Sequence, residues 1–354
     1  MIIKSINIKN FRNIEEASLN FSEDFNVMTG DNGQGKTNLL EALYFSGMMK
    51  SFRTRTLGDL FKDFKSKNVM FIEALYDYKT SKKNIRIGIE GRKKEVTVDG
   101  VDKKFHDLLS LHSFVVFIPD DLKIVGKEPV YRRKFINEIC SQLYPGYYST
   151  LLKYRKIVDN RNSLLKHGKE AGIWDEIFCE SANYIIEKRL LVLEHLKEIF
   201  PKIYQEIVPE GEKKTDFSYK GKKRIDIEVL KECRNREIRK GHTVVGPHRD
   251  DIEILIGDYK ARKAASRGQQ RTIVFTLKMT QAHVISKIKN NNPVLILDDV
   301  FSELDEHRKK SFLISINKKF QVFISVNSFS RDILSEQNYK EFFVKEGKIV
   351  SKEI

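Results

Sequence analysis

The sequence has little cysteine: Cys140, Cys179 and Cys233 are the three in 354 residues. Scattered and odd in number, they exclude a disulfide framework and zinc-ligand spacing and point to a reducing, cytoplasmic setting. No apolar run approaches the roughly 20 residues that span a bilayer, so neither a membrane helix nor a membrane partner is expected. There is no internal repeat and no sustained heptad pattern, which excludes a solenoid and a long coiled-coil arm. The first residues, Met1 to Ile6, lack the layout of a signal peptide and read as a strand. Acidic residues are also in deficit, 49 against 64 Lys and Arg, which leaves a formal net charge of +15.

What is there is a globular balance of 40% hydrophobic and 32% charged residues, which argues against disorder. The length exceeds what one compact core usually holds, so two lobes are expected. A lysine-rich proteome would account for the basic surplus. So would an acidic polymer as partner, most simply nucleic acid, because Lys and Arg gain affinity by releasing phosphate counterions. Charge alone does not choose among DNA, RNA and a membrane surface.

Along the chain, period-2 alternation around Ile6 and Ile8 and the run from Phe25 to Thr29 predict strands. From Lys36 a helix is expected, with Leu39, Leu40, Leu43 and Tyr44 at helical spacing. Strands are expected again over residues 69–78, 84–90 and 95–98, with Asp99 and Gly100 as a hairpin turn. After the apolar run 114–118 the pattern changes, and residues 130–208 read as helices. A basic polar stretch follows from Lys213 to His242. Strand signals return at 294–297 and 321–326. The expected organisation is one α/β lobe from residues 1–118 and 290–354, with a mainly helical lobe, 119–289, inserted between them.

Four elements carry chemistry. Gly30, Asp31, Asn32, Gly33, Gln34, Gly35, Lys36 and Thr37 fit G-x-x-x-x-G-K-T between a strand and a helix, with Asn38 next. Such a loop turns backbone N–H groups around phosphate oxygens at a positive helix end. Lys36 is expected to reach the β- and γ-phosphates of ATP, and the Thr37 hydroxyl to ligate Mg²⁺. A second element, the apolar run ending in Asp298 and Asp299, places one carboxylate for the metal, Asp298, and one to orient or deprotonate water, Asp299. The third is Ser266, Arg267, Gly268, Gln269, Gln270 and Arg271. It precedes an apolar helix beginning near Thr272 and offers another phosphate-binding helix start, with Ser266 as N-cap. The fourth is Ser302, Glu303, Leu304 and Asp305.

Taken in order, these elements resemble the ATP-binding cassette (ABC) head and, more narrowly, the RecF family of bacterial recombination mediators, which is related to the SMC proteins. Further stretches carry the likeness: Asn10, Phe11, Arg12 and Asn13; Pro119 to Leu122; Pro129 with Arg132 and Arg133; and Gly246, Pro247, His248, Arg249, Asp250 and Asp251. Lys127 stands where the pattern usually has Gly, Asn137 where it has Asp, and Asp299 where many cassettes have Glu. Ser325, Val326 and Asn327 stand where transporters carry a catalytic histidine, and their Q-loop glutamine has no clear counterpart near Pro119. The missing histidine and the basic charge argue against a transporter subunit, and the absent coiled coil against an SMC-type arm.

The resemblance implies an α/β, ABC-type P-loop NTPase head with a mixed-sheet lobe. It implies an ATP-dependent homodimer in which the loop at Gly30 faces Ser266, Gly268 and Gln269 of a second copy, with Arg12 and Asn13 beside the nucleotide. It further implies a cytoplasmic DNA clamp of repair and replication. Such a clamp binds duplex and single-stranded DNA near gaps, works with RecO and RecR to load RecA, and hydrolyses ATP slowly as a release timer.

Overall fold

The computed structural model describes residues 1–54, 56–61, 69–78, 80–91, 93–208, 214–300, 316, 319–327 and 338–352. By its contacts the chain divides into two units, Met1–Asp121 with Lys278–Ile354, and Leu122–Leu277. The second crossing therefore falls between residues 277 and 278, inside a helix, where the sequence pattern suggested 289/290.

The first unit holds two sheets. One is antiparallel: β1 (Ile2–Phe11), β2 (Ile14–Asn20), β4 (Val69–Asp77), β5 (Lys82–Glu90), β6 (Lys93–Val98) and β7 (Val101–Asp102), in the order β2-β1-β4-β5-β6-β7. Ile6 lies opposite Leu19 on one side and Ala74 on the other. Alternate residues of β4 are buried, the signature of a sheet with one covered face. Asp99 and Gly100, both at positive φ, turn β6 into β7 as expected.

The other sheet runs β15-β14-β3-β13-β12-β8. Its members are β3 (Phe25–Thr29), β8 (Phe114–Phe117), β12 (Val294–Asp298), β13 (Val322–Ser325), β14 (Tyr339–Lys345) and β15 (Lys348–Lys352). Only the β14–β15 pairing is antiparallel. All residues of β3, β8, β12 and β13 are buried. That is why they read as unbroken apolar runs: a parallel sheet is covered on both faces.

Helix α1 (Lys36–Met48) touches strands of both sheets. Its residues from Leu39 to Met48 are all buried. The helix is thus enclosed rather than amphipathic, so the helical spacing of Leu39, Leu40, Leu43 and Tyr44 understates its burial. The short α2 (Phe105–Leu111) packs beside it.

The second unit is mainly helical: α3 (Lys123–Gly126), α4 (Pro129–Leu143), α5 (Tyr147–Lys166), α6 (Asp175–Ile207), α7 (Ile227–Lys240), α8 (Ala261–Ala264) and the start of α9 (Arg267–Lys289). It also carries an antiparallel sheet in the order β11-β10-β9, made of β9 (Thr215–Lys220), β10 (Asp251–Ile256) and β11 (Tyr259–Lys260). The sequence pattern missed β9 and α7, because their charged faces hide the apolar residues behind them. Helix α7 is capped at both ends: Asp226 accepts from the Val229 N–H (2.9 Å), and Gly241 closes it in the left-handed conformation. Buried Arg161 on α5 pairs with Asp175 on α6 and with Glu237 on α7 (2.8 Å). Removing one member of such a set strands a buried charge, at a cost of about 3–5 kcal/mol.

Two motifs without an assigned chemistry interlock in this unit. Arg132 binds Asp251 through two bonds of 2.7 and 3.0 Å, and Arg133 donates to the Asp250 carbonyl at 2.8 Å. Arg189, buried on α6, donates to the Pro247 carbonyl (2.6 Å) and to Asn137 Oδ1 (3.0 Å). The motif Gly246 to Asp251 is therefore the hub of a polar network inside the second unit.

Candidate functional site

The site in the first unit grows from the end of β3. Residues Asp31, Asn32 and Gly33 are exposed at the loop tip, while Gly35 and Lys36 are buried at its root. Gly30 (φ +137°) passes so close to β14 that a Cβ would lie 2.3 Å from the Val344 carbonyl oxygen. Only glycine allows that approach.

The Lys36 ammonium donates to the carbonyls of Gly30 and Asp31 (3.0 Å to the latter) and to Asn327 Oδ1 at 2.9 Å. Burial pulls its pKa below the ordinary lysine value, against the opposing charges of Asp299, Asp31 and Asp298. Such a cation, held inside the loop it serves, is placed to meet phosphate oxygens.

The Thr37 hydroxyl donates to Asp298 Oδ1 at 2.7 Å across 261 residues of sequence. Asp298 ends β12 and is 8% exposed. Burial raises its pKa, while hydrogen bonds from Thr37 and Ser325 and the charge of Arg53 oppose that rise. Asp299 follows, exposed and at φ +53°, with its N–H donated to Ser325 Oγ at 2.9 Å. A hydroxyl and a buried carboxylate side by side form a hard oxygen pair suited to Mg²⁺. The donor set thus fits a magnesium-bound nucleoside triphosphate. Among the described residues no group of three or more His, Cys, Asp or Glu could hold a metal by itself.

Asn13 and Asn38 support the loop: Asn13 donates to the Gln34 carbonyl (3.1 Å) and accepts from Asn38 (2.7 Å). Arg12, expected beside the nucleotide, has protein partners of its own. Its guanidinium binds fully buried Glu41 through two bonds of 2.9 and 2.7 Å and also donates to the Asp59 carbonyl. These bonds tie it to the second turn of α1. A carboxylate inside an apolar helix needs a counter-charge, so Glu41 was the available signal for this role.

Sequence reasoning missed a second support. The Gly347 N–H donates to the Gln34 carbonyl (2.9 Å), and the Glu346 N–H donates to Gln34 Oε1 (2.8 Å). The turn between β14 and β15 therefore grips the phosphate loop. Nothing in the local sequence of that turn announces a partner more than 300 residues away.

In the second unit, Ser266 and Gln269 form a capping box. The Ser266 N–H donates to Gln269 Oε1 (2.9 Å), and the Gln269 N–H donates to Ser266 Oγ (3.2 Å). These bonds start α9 at Arg267, five residues before the expected Thr272. Ser266 and Arg267 are exposed and Gly268 is half-buried, so this helix start is open to a ligand or a partner. Ser302, Glu303, Leu304 and Asp305 lie outside the described residues.

Residues 2–349 match the RecF/RecN/SMC N-terminal domain family. The chain is 38% identical over 330 residues to the DNA replication and repair protein RecF of Clostridium acetobutylicum, covering 89% of this chain and 90% of that protein. To the protein of the same name from Geotalea daltonii it is 33% identical over 365 residues, covering 99% of this chain and 100% of that one. A solved structure of the recombination mediator protein RecF-ATP in the RecFOR pathway matches with a TM-score of 0.85 at 32% identity, covering 99% of this chain and 97% of that chain. An SMC head bound to the C-winged helix domain of ScpA matches at 0.57 and 16% identity over 100% of this chain and 98% of that one, a likeness of fold alone.

Proposed function

The chain belongs to the RecF family, and from that premise we propose that it is an ATP-dependent DNA-binding protein of recombinational repair and replication that dimerises on ATP. The observation that carries this reading is the bond between Thr37 and Asp298, which joins the phosphate loop to the acidic strand end.

Backbone N–H groups of residues 33–37 and the N-terminus of α1 hold the triphosphate. Lys36 leaves its carbonyl partners to face the β- and γ-phosphates. Thr37 and Asp298 would hold Mg²⁺, which would supply positive charge against the phosphate oxygens. Asp299 orients the attacking water and accepts its proton. Aspartate reaches less far than the glutamate of many cassettes, which fits slow turnover. Ser266, Gly268 and Gln269 complete the site of a second copy, an isologous arrangement around a two-fold axis.

For DNA, the C-terminal ends of α5 and α7 offer a basic surface. A Cβ on Gly241 would lie 3.7 Å from Lys166 Cα, so the two ends touch. Lys166, Lys169, Arg239 and Lys240 are all exposed there. Cooperation with RecO and RecR in loading RecA is proposed from the family.

Sedimentation with and without ATP and Mg²⁺ tests the reading. A dimer that appears with ATP and is strengthened by DNA supports it, as linkage requires; a monomer under every condition removes it. Lys36→Arg is expected to impair hydrolysis more than binding, and Asp299→Asn to prolong the ATP-bound dimer. Ser266→Arg is expected to block dimerisation while sparing nucleotide binding.

A further inference from the structure

We propose that Ser325 is a positioning residue that aims the hydrolytic carboxylate Asp299, and that the end of β13 thereby ties both acidic residues to the phosphate loop. The proposal rests on the ATPase reading above.

Ser325 ends β13 and is 2% exposed. Strands β12 and β13 are parallel neighbours with Asp298 directly opposite Ser325. The hydroxyl is used in both senses: it donates to Asp298 Oδ1 at 2.9 Å and accepts the Asp299 N–H at 2.9 Å. A hydroxyl has one proton. With that proton on Asp298, an oxygen lone pair remains for the Asp299 N–H.

The second bond fixes the peptide plane between Asp298 and Asp299. Asp299 is also held at φ +53°, a left-handed conformation that a non-glycine residue keeps only when something secures it. The peptide plane and φ together set the direction in which the Asp299 side chain leaves the backbone. Oxygen Oδ1 of Asp298 is shared as well, since it accepts from Thr37 at 2.7 Å. Two residues beyond Ser325, Asn327 Oδ1 accepts from Lys36 at 2.9 Å. One strand end thus touches the lysine, the metal-side carboxylate and the backbone of the water-side carboxylate. A shift of β13 moves all three together.

The competing role is a buried serine that only satisfies a strand end. Two variants of matched shape separate the roles. Ser325→Thr keeps a hydroxyl that both donates and accepts, and strand geometry suits both β-branched residues; Ser325→Val keeps the shape without the hydroxyl. ATP turnover, ATP affinity and hydrogen exchange of the Asp299 amide in nucleotide-free protein would be measured on both, with Asp299→Asn alongside. The expected result is a 10–100-fold fall in kcat for Ser325→Val, the usual effect of losing such a supporting bond. ATP affinity would stay within about threefold, and the Asp299 amide would exchange faster. Ser325→Thr would restore turnover and protection. Turnover in Ser325→Val equal to wild type, or equal falls in the Val and Thr variants, would overturn the proposal while Asp299→Asn is inactive. Unchanged turnover in Asp299→Asn would overturn the ATPase assignment of Asp299 and the proposal with it.

Discussion

At the scale of single residues, the second unit holds an arginine with an underused neighbour. Arg189 is 2% exposed, and its Nε binds the neutral amide oxygen of Asn137. The same oxygen accepts from Tyr147 at 2.7 Å. A carboxylate there would accept both bonds and add a counter-charge. Charged hydrogen bonds contribute more than neutral ones, so Asn137→Asp is predicted to stabilise the unit by about 1 kcal/mol. Urea unfolding would show a higher midpoint with an unchanged slope.

Two histidines, His112 buried and His248 half-buried, set a pH dependence. Burial pushes His112, packed on Tyr76 in the first unit, down to about 3. It pushes His248, whose Nδ1 shares a 2.6 Å hydrogen bond with the Tyr154 hydroxyl, down to about 4. Both folded values lie below the ordinary 6.5, so the unfolded chain binds protons first as pH falls. The stability held by the neutral rings is full above about pH 6.5 and is lost through the window toward 4 and 3. Each ring contributes a slope of up to about 1.4 kcal/mol per pH unit. Unfolding midpoints measured from about pH 7 to 5 are expected to fall, and to fall less in His112→Phe.

At the scale of elements, the grip of the β14–β15 turn on the phosphate loop is testable. A Cβ on Gly347 would lie 2.2 Å from the Asn13 carbonyl oxygen, at φ +77°. Gly347→Ala is predicted to cost about 2 kcal/mol and to weaken ATP affinity, because the turn also holds Gln34. Calorimetry and a nucleotide titration would show both losses together. This turn also marks where sequence reading ends. The phosphate loop, Asp298, the buried strands and the hairpin at Asp99 were legible, because each is encoded by a local pattern. The grip on Gln34, the pairing of Arg12 with Glu41, and Asn327 on Lys36 were not. Their partners are distant in sequence, and only the sheet order brings them together. Strand β9 and helix α7 were hidden for another reason: each buries few residues among exposed charges.

At the scale of the whole molecule, the basic surplus makes a quantitative claim. Lys169→Glu with Lys240→Glu is predicted to weaken duplex DNA binding about tenfold at low salt. It should also flatten the salt dependence by roughly two phosphate contacts, about 1.8 in log–log slope. Titrations at several salt concentrations would check both, and an unchanged slope would place the DNA elsewhere.

The grip of the late hairpin has a further consequence, in the order of synthesis. The loop at residues 30–37 leaves the ribosome early, yet its Gln34 anchors are Glu346 and Gly347, and its root packs on Val344. A nascent chain therefore carries the whole phosphate loop long before it carries the clasp that holds Gln34. Chains cut before β14 are predicted not to retain labelled ATP, whereas chains that include β14 and β15 retain it.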